Sequence, residues 1–212
     1  MTRRVAVPLT PRRIAHAARW LAMRDPDLAR LHARHGAPPL WGRPPGFATL
    51  AHIVLEQQVS LASARAMRRR LTVALGRFDA TRIAGAGERR LRALGVTRQK
   101  ARYLAAAADA VRSGALDLNR LRRAPDDDVL ASLTRLPGIG PWTAQVYLVM
   151  ALGRPDVWPR GDLALHRSLA RVKRLGRMTD ERAYAIAERW RPWRAVAARM
   201  LWQQYLAERR AR

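Results

Sequence analysis

The chain has 212 residues, with 41 lysines and arginines against 16 aspartates and glutamates, and a formal net charge of +25. That length supports one sizeable core or two small helical lobes without disulfides or metal, and so large a cationic excess points to a polyanionic partner. The absence of cysteine excludes structural disulfides, thiolate zinc sites and cysteine-ligated iron–sulfur clusters, and the apolar run Val5 to Leu9, broken by Pro8, is neither a signal peptide nor a membrane span, so a cytoplasmic protein is expected.

Two short helices are predicted over residues 10–35, divided at Asp25-Pro26, with Ile14, Ala18, Leu21 and Ala22 at helical spacing. A proline-rich loop around Trp41 follows, from Gly36 to Gly46. Leu50, Ile53, Val54 and Gln57 mark a helix over Phe47 to Gln58, and Ser60 caps a second, Leu61 to Leu75. Short helices follow at Arg82 to Gly85 and Glu88 to Gly95, and Thr97 caps a longer one, Arg98 to Ser113. The segment from Gly95 to Ala101 reads as a solvated basic face or a second phosphate contact. Asp126, Asp127 and Asp128 crowd a helix start, where the macrodipole favours them; this explains the cluster more simply than a metal site does.

Leu136-Pro137-Gly138-Ile139-Gly140-Pro141 then forms a sharp turn. Gly138 and Gly140 are free to adopt positive φ, and Pro141 suits the first turn of the helix Trp142 to Leu152. Such a turn is an ordinary αα connection or, through its amides and the helix N-terminus that follows, a phosphate cradle. Asp162 lies 22 residues beyond Gly140, after Trp158-Pro159-Arg160-Gly161, and opens the helix Leu163 to Leu175. Thr179 caps Asp180 to Trp190, and Trp193 to Arg209 is the last helix. No segment alternates with the period of a strand, so an all-α chain is expected.

Together the hairpin, Asp162 and the closing segment Trp190-Arg191-Pro192-Trp193 to Leu201-Trp202 resemble the alkylation-repair branch of the helix-hairpin-helix DNA glycosylases, over approximately Phe47 to Tyr205. The branch meant is the bacterial 3-methyladenine DNA glycosylase II type, and with residues 1–46 alone ahead of the matched stretch a form without the N-terminal α/β domain found there is expected. The resemblance implies a single two-lobed glycosylase unit over residues 1–212 with a cleft between lobes: a central lobe, 47–135, and a second made of 1–46 plus 136–212. It implies that Leu136, Pro137, Gly138, Ile139 and Gly140 hold the DNA backbone, that the carbonyls of Leu136 and Ile139 hold a monovalent cation, and that Asp162 faces the scissile bond. Trp142 and Trp202 fall in the base pocket. A further pocket aromatic of the family falls at Val146: either Tyr147 beside it is an imperfect replacement, or the pocket is more open and the substrate range differs. Gln58 occupies the place of the apolar residue that wedges into the duplex.

A carboxylate that caps a helix has an ordinary structural role, and the same group suits stabilisation of the positive charge that develops at C1′ when an N-glycosidic bond breaks. Purines alkylated at N3 or N7 are cationic leaving groups; tryptophan faces suit them, and seven tryptophans against two phenylalanines supply such faces. The bifunctional members of the superfamily carry a lysine where Trp142 stands. The expectation is therefore a cofactor-free, monomeric, monofunctional glycosylase acting on damaged double-stranded DNA, possessing no lyase activity. Two other readings remain open: a non-catalytic helix-hairpin-helix DNA-binding module, and a glycosylase for deaminated or mismatched bases.

Overall fold

The computed structural model describes residues 5–210, and among these it contains helices and connecting loops but no strand. Backbone contacts divide the chain into two units, Arg43–Leu152 and a discontinuous one made of Ala6–Gly42 with the residues from Gly153 onward.

The chain opens the discontinuous unit with α1 (Pro11–Ala22) and α2 (Pro26–His35). Each begins with proline behind a capping side chain. Thr10 Oγ1 accepts the Arg13 N–H at 3.2 Å, and Asp25 Oδ1 accepts those of Asp27 and Leu28 at 3.0 and 3.3 Å. These caps satisfy amides that the helix itself leaves unpaired. Ile14, Ala17, Ala18 and Leu21 face inward.

Helices α3 to α9 build the continuous unit. At its centre is α3 (Phe47–Glu56), apolar on nearly every side, which packs against α4 (Leu61–Leu75), α6 (Arg98–Arg112) and α9 (Pro141–Met150). An all-round apolar helix is one that other helices enclose. By contrast α4 buries only Ala64 and Leu71 and presents its arginines to solvent. α5 (Ala80–Ala93) is two helical pieces meeting at Gly87, where φ is 62° and ψ 174°; this reproduces the expected pair of short helices. Its start precedes the expected Arg82 because Asp79 supplies the cap, accepting the Arg82 N–H at 2.9 Å. The one-turn α7 (Leu118–Leu121), capped by Asp117, is too short to show a period.

The hairpin departs from the expected grouping. It joins the unit that holds residues 47–135, because α9 packs against α3 and α8 (Asp126–Thr134), and the Arg43 N–H donates to the Met150 carbonyl at 2.8 Å. The boundaries therefore fall at Gly42/Arg43 and Leu152/Gly153, not at 46/47 and 135/136.

The chain then returns to the discontinuous unit with α10 (Leu163–Val172), α11 (Asp180–Ala187), a 3-10 turn over Glu188–Trp190 and α12 (Arg194–Arg210). α12 is the axis here. α1, α2 and α10 pack on it; its residues Ala195, Val196, Ala197 and Ala198 are all fully buried, and such small side chains permit close helix approach. Asp25 ties this unit together further. Lys173 Nζ donates to its Oδ2 at 2.6 Å and the Trp190 indole N–H to the same oxygen at 2.9 Å. Burial pushes the Asp25 carboxyl up, but the bonds from Lys173 and Trp190 outweigh it and hold the group below its ordinary value. Among the described residues no helix is long and apolar enough to cross a membrane.

Candidate active site and nucleic-acid interface

The hairpin between α8 and α9 closes by a bond from the Ile139 N–H to the Leu136 carbonyl at 3.1 Å. Gly138 takes φ +75°, and a Cβ added there would lie 2.0 Å from the Tyr103 ring of α6. Only glycine satisfies both the left-handed backbone and that approach. Gly140 does not need its freedom: at φ −84° and ψ 178° it is an extended N-cap of α9. Ile139 is 2% exposed and anchors the turn in the core.

A second loop docks against this turn. Gln57, directly after α3, donates its side-chain amide to the Gly138 carbonyl and to Thr143 Oγ1, both at 2.9 Å. The residues before it are fixed as well. The Leu55 carbonyl accepts Lys100 Nζ at 2.7 Å, and Glu56 receives both Arg43 guanidinium nitrogens at 2.9 and 2.7 Å, with His52 Nε2 at 3.3 Å. Burial raises the Glu56 carboxyl, yet His52 and Arg43 more than offset it and the group titrates below its ordinary value. Gln58 then stands exposed at the loop tip with φ +56°, a conformation that costs a non-glycine residue about 1–3 kcal/mol and needs surroundings that enforce it.

Of the aromatic residues expected in the base pocket, Trp142 is half-buried in the first turn of α9. Tyr147 requires correction. It is 0% exposed, its hydroxyl accepts the Gly46 N–H at 2.9 Å, and burial raises its phenol above the ordinary value. A ring enclosed in this way offers no face to a base. Val146 is likewise buried.

In the discontinuous unit Asp162 is the N-cap of α10: its Oδ1 accepts the Leu165 N–H at 2.9 Å and the indole N–H of Trp202, on α12, at 3.3 Å. The two side chains are 8% and 9% exposed. α10 is fastened to α12 by Ser168, whose hydroxyl donates to the Leu201 carbonyl at 2.8 Å. Asp162 and Trp202, predicted separately, are thus brought into direct contact, and the indole N–H orients the carboxylate.

Arginine dominates the surface. Arg65, Arg68, Arg98 and Arg167 are exposed, and the turn from α5 to α6 borders a groove of about 650 Å³ lined by Arg89, Arg92, Gly95 and Arg98. The expected basic face at Gly95 to Ala101 is therefore concave. The helical period puts Gln57 on the same face as Leu50, Ile53 and Val54, but no local pattern names its partners, Gly138 and Thr143, 81 and 86 positions away.

The hairpin, the capping aspartate that follows it and the all-helical fold define a known class: the chain belongs to the HhH-GPD superfamily of base excision DNA repair proteins, which matches residues 51–192. Among relatives, it is 29% identical over 188 residues to DNA-3-methyladenine glycosylase 2 of Escherichia coli, covering 82% of this chain and 63% of that protein. It is 28% identical over 175 residues to the DNA-3-methyladenine glycosylase of Bacillus subtilis, covering 76% of this chain and 58% of that one. The chain thus spans less than two thirds of the length of these relatives. Among solved structures it is similar to the Schizosaccharomyces pombe 3-methyladenine DNA glycosylase in complex with abasic DNA, with a TM-score of 0.78, 27% identity and coverage of 89% of this chain and 95% of that one.

Proposed function

We propose that this protein is a monofunctional DNA glycosylase that hydrolyses the N-glycosidic bond of alkylated, cationic purines such as 3-methyladenine or 7-methylguanine in duplex DNA, leaving an abasic site. The observation that carries the proposal is the Asp162 carboxylate, capped by α10 and oriented by the Trp202 N–H, 22 residues beyond the hairpin glycine Gly140. The names of the relatives and of the DNA-bound structural neighbour support the same substrate class.

The target bond is inaccessible inside a stacked duplex, so the nucleotide is flipped out at a cost of a few kcal/mol. The amides of the Gly138 hairpin grip a backbone phosphate, and Gln58, held out by its own strained backbone, enters the space the base leaves. As the glycosidic bond breaks, its electron pair departs with the base, which leaves neutral because it was cationic. Positive charge grows at C1′, where the Asp162 carboxylate stabilises it and directs water to form the new C1′–O bond. The proton released by that water passes to solvent. Half-buried Trp142 presents a face for an electron-poor ring, an attraction of about 0.5–2 kcal/mol, while Trp202 serves through its indole N–H on Asp162.

The test is incubation with duplex oligonucleotides carrying 3-methyladenine, 7-methylguanine, hypoxanthine or uracil, followed by alkali. Release of the methylated purines, abolished in Asp162→Asn while duplex affinity is retained, is the expected result. Release of only hypoxanthine or uracil would replace the substrate class, and release of none would leave a DNA-binding module.

A further inference from the structure

The turn that delivers Asp162 is held by a carboxylate on another helix. Asp180, the first residue of α11, accepts the Gly161 N–H on Oδ1 at 2.6 Å and the Arg160 Nε–H on Oδ2 at 2.8 Å. His166 Nε2, one turn into α10, lies 3.5 Å from the same Oδ1. The Arg160 guanidinium also stacks over the ring of Tyr184, on α11, at 4.9 Å. Burial raises the Asp180 carboxyl, but the Gly161 amide, Arg160 and His166 together keep it below its ordinary value, in keeping with an acceptor that stays anionic.

These contacts bear on Asp162 because of where they fall in the chain. Gly161 occupies the left-handed region at φ +73°, and Asp162 follows at φ −72° and ψ 110°. The two residues before the capping carboxylate are thus bound to one side chain of α11, one by its backbone and one by its guanidinium. Leu165 and Trp202 fix the far end of the Asp162 side chain, and Asp180 fixes the backbone from which that side chain springs. The Arg160 side chain is 43% exposed, and Asp180 and the Tyr184 ring hold it against α11.

We propose that Asp180 is a positioning residue for base excision: its carboxylate locks the Arg160-Gly161 turn and thereby sets the place of the Asp162 carboxylate. The proposal rests on Asp162 as the reacting group. Asp180 touches neither substrate nor water in the reaction and acts only through the turn.

The test uses the full chain and measures two quantities: single-turnover release of 7-methylguanine from a duplex oligonucleotide, and affinity for a duplex containing a tetrahydrofuran abasic-site analogue. Asp180→Ala and Asp180→Ser, the latter compatible with a helix start but too short to span both donors, should slow release about tenfold or more while affinity stays within about twofold. Asp180→Asn keeps an oxygen for the Gly161 N–H and should recover most of the rate, which a merely structural loss of the side chain would not predict. Asp180→Asn as slow as Asp180→Ala, or a folded Ala or Ser variant releasing base at the wild-type rate, overturns the positioning role. Asp162→Asn separates the two levels: if it is inactive while the Asp180 variants are unaffected, only the role of Asp180 falls. A wild type that releases no base overturns the reading of Asp162 and this proposal with it.

Discussion

Trp202 and Asp162 form a single unit across α12 and α10: the indole N–H donates to Oδ1 at 3.3 Å, the same oxygen that accepts the Leu165 amide at 2.9 Å. Two donors on one oxygen fix the plane of the carboxylate. Trp202→Phe keeps an aromatic face and removes the donor, and a hydrogen bond to a charged group contributes about 1.5–3 kcal/mol. Base release should slow by about tenfold or more under single-turnover conditions, with a smaller change in duplex affinity.

Gly138→Ala tests the hairpin. The new methyl would meet the Tyr103 ring at 2.0 Å on a backbone held at φ +75°. Displacing the turn should destabilise the protein by about 1–3 kcal/mol and weaken duplex binding. Adding Tyr103→Ala removes the steric conflict but not the backbone strain, so thermal melting should recover only in part. Gly140→Ala, at φ −84° with open space around it, should be far milder.

Binding should depend steeply on salt. A net charge of +25, expressed through exposed arginines and the arginine-lined groove between α5 and α6, predicts that log affinity falls linearly with log salt, by about 0.9 for each phosphate neutralised. Replacing Arg89, Arg92 and Arg98 together with glutamine should flatten that slope, measured by fluorescence anisotropy between 50 and 200 mM salt, without altering which base is released.

Borohydride should trap no covalent adduct between this protein and lesion-containing DNA. The position after Pro141 is Trp142, which has no amine to attack C1′. An adduct resolved by denaturing electrophoresis would overturn the monofunctional assignment.

Acid should destabilise the fold through Asp25 and Glu56. Both carboxyls titrate below their ordinary values in the folded protein, Asp25 against Lys173 and Trp190, Glu56 against His52 and Arg43. A depressed folded value means stabilisation that is complete above the unfolded value and lost as pH falls through the folded one. The thermal midpoint should therefore drop as pH goes below about 4. Lys173→Met should flatten the part of this dependence that Asp25 contributes and lower stability at neutral pH, because it leaves a partly buried carboxylate without its cation.

Much of this architecture is legible in the sequence because capping residues mark where helices begin. Ser60, Thr97, Asp162 and Thr179 each accept a backbone N–H at the helix start expected of them. The hairpin is legible from its glycines and prolines, and Asp162 as the residue that opens α10. What the sequence hides are contacts between residues far apart in the chain. The bond from Gln57 to Gly138 spans 81 positions and helps place the hairpin in the unit of α3; no local pattern announces it. Tyr147 sits on α9, which is apolar on nearly all sides, so periodicity does not say which way its ring turns. Asp180 looks like any acidic residue in a first helical turn until the fold brings Gly161 to it.

Of the chain's 41 basic residues, only Lys100 and Lys173 are lysines, and both are committed internally: Lys100 to the Leu55 carbonyl, Lys173 to Asp25 and Asp27. Acetylation, the common chemical means of loosening a basic protein from its template, consequently finds only two lysine amines, both half-buried and hydrogen-bonded within the protein. The surface charge is carried by guanidiniums, which are always protonated and which acetyl transfer does not neutralise. Attachment to a polyanion would then be governed by ionic strength and by the duplex itself, beyond the reach of lysine modification.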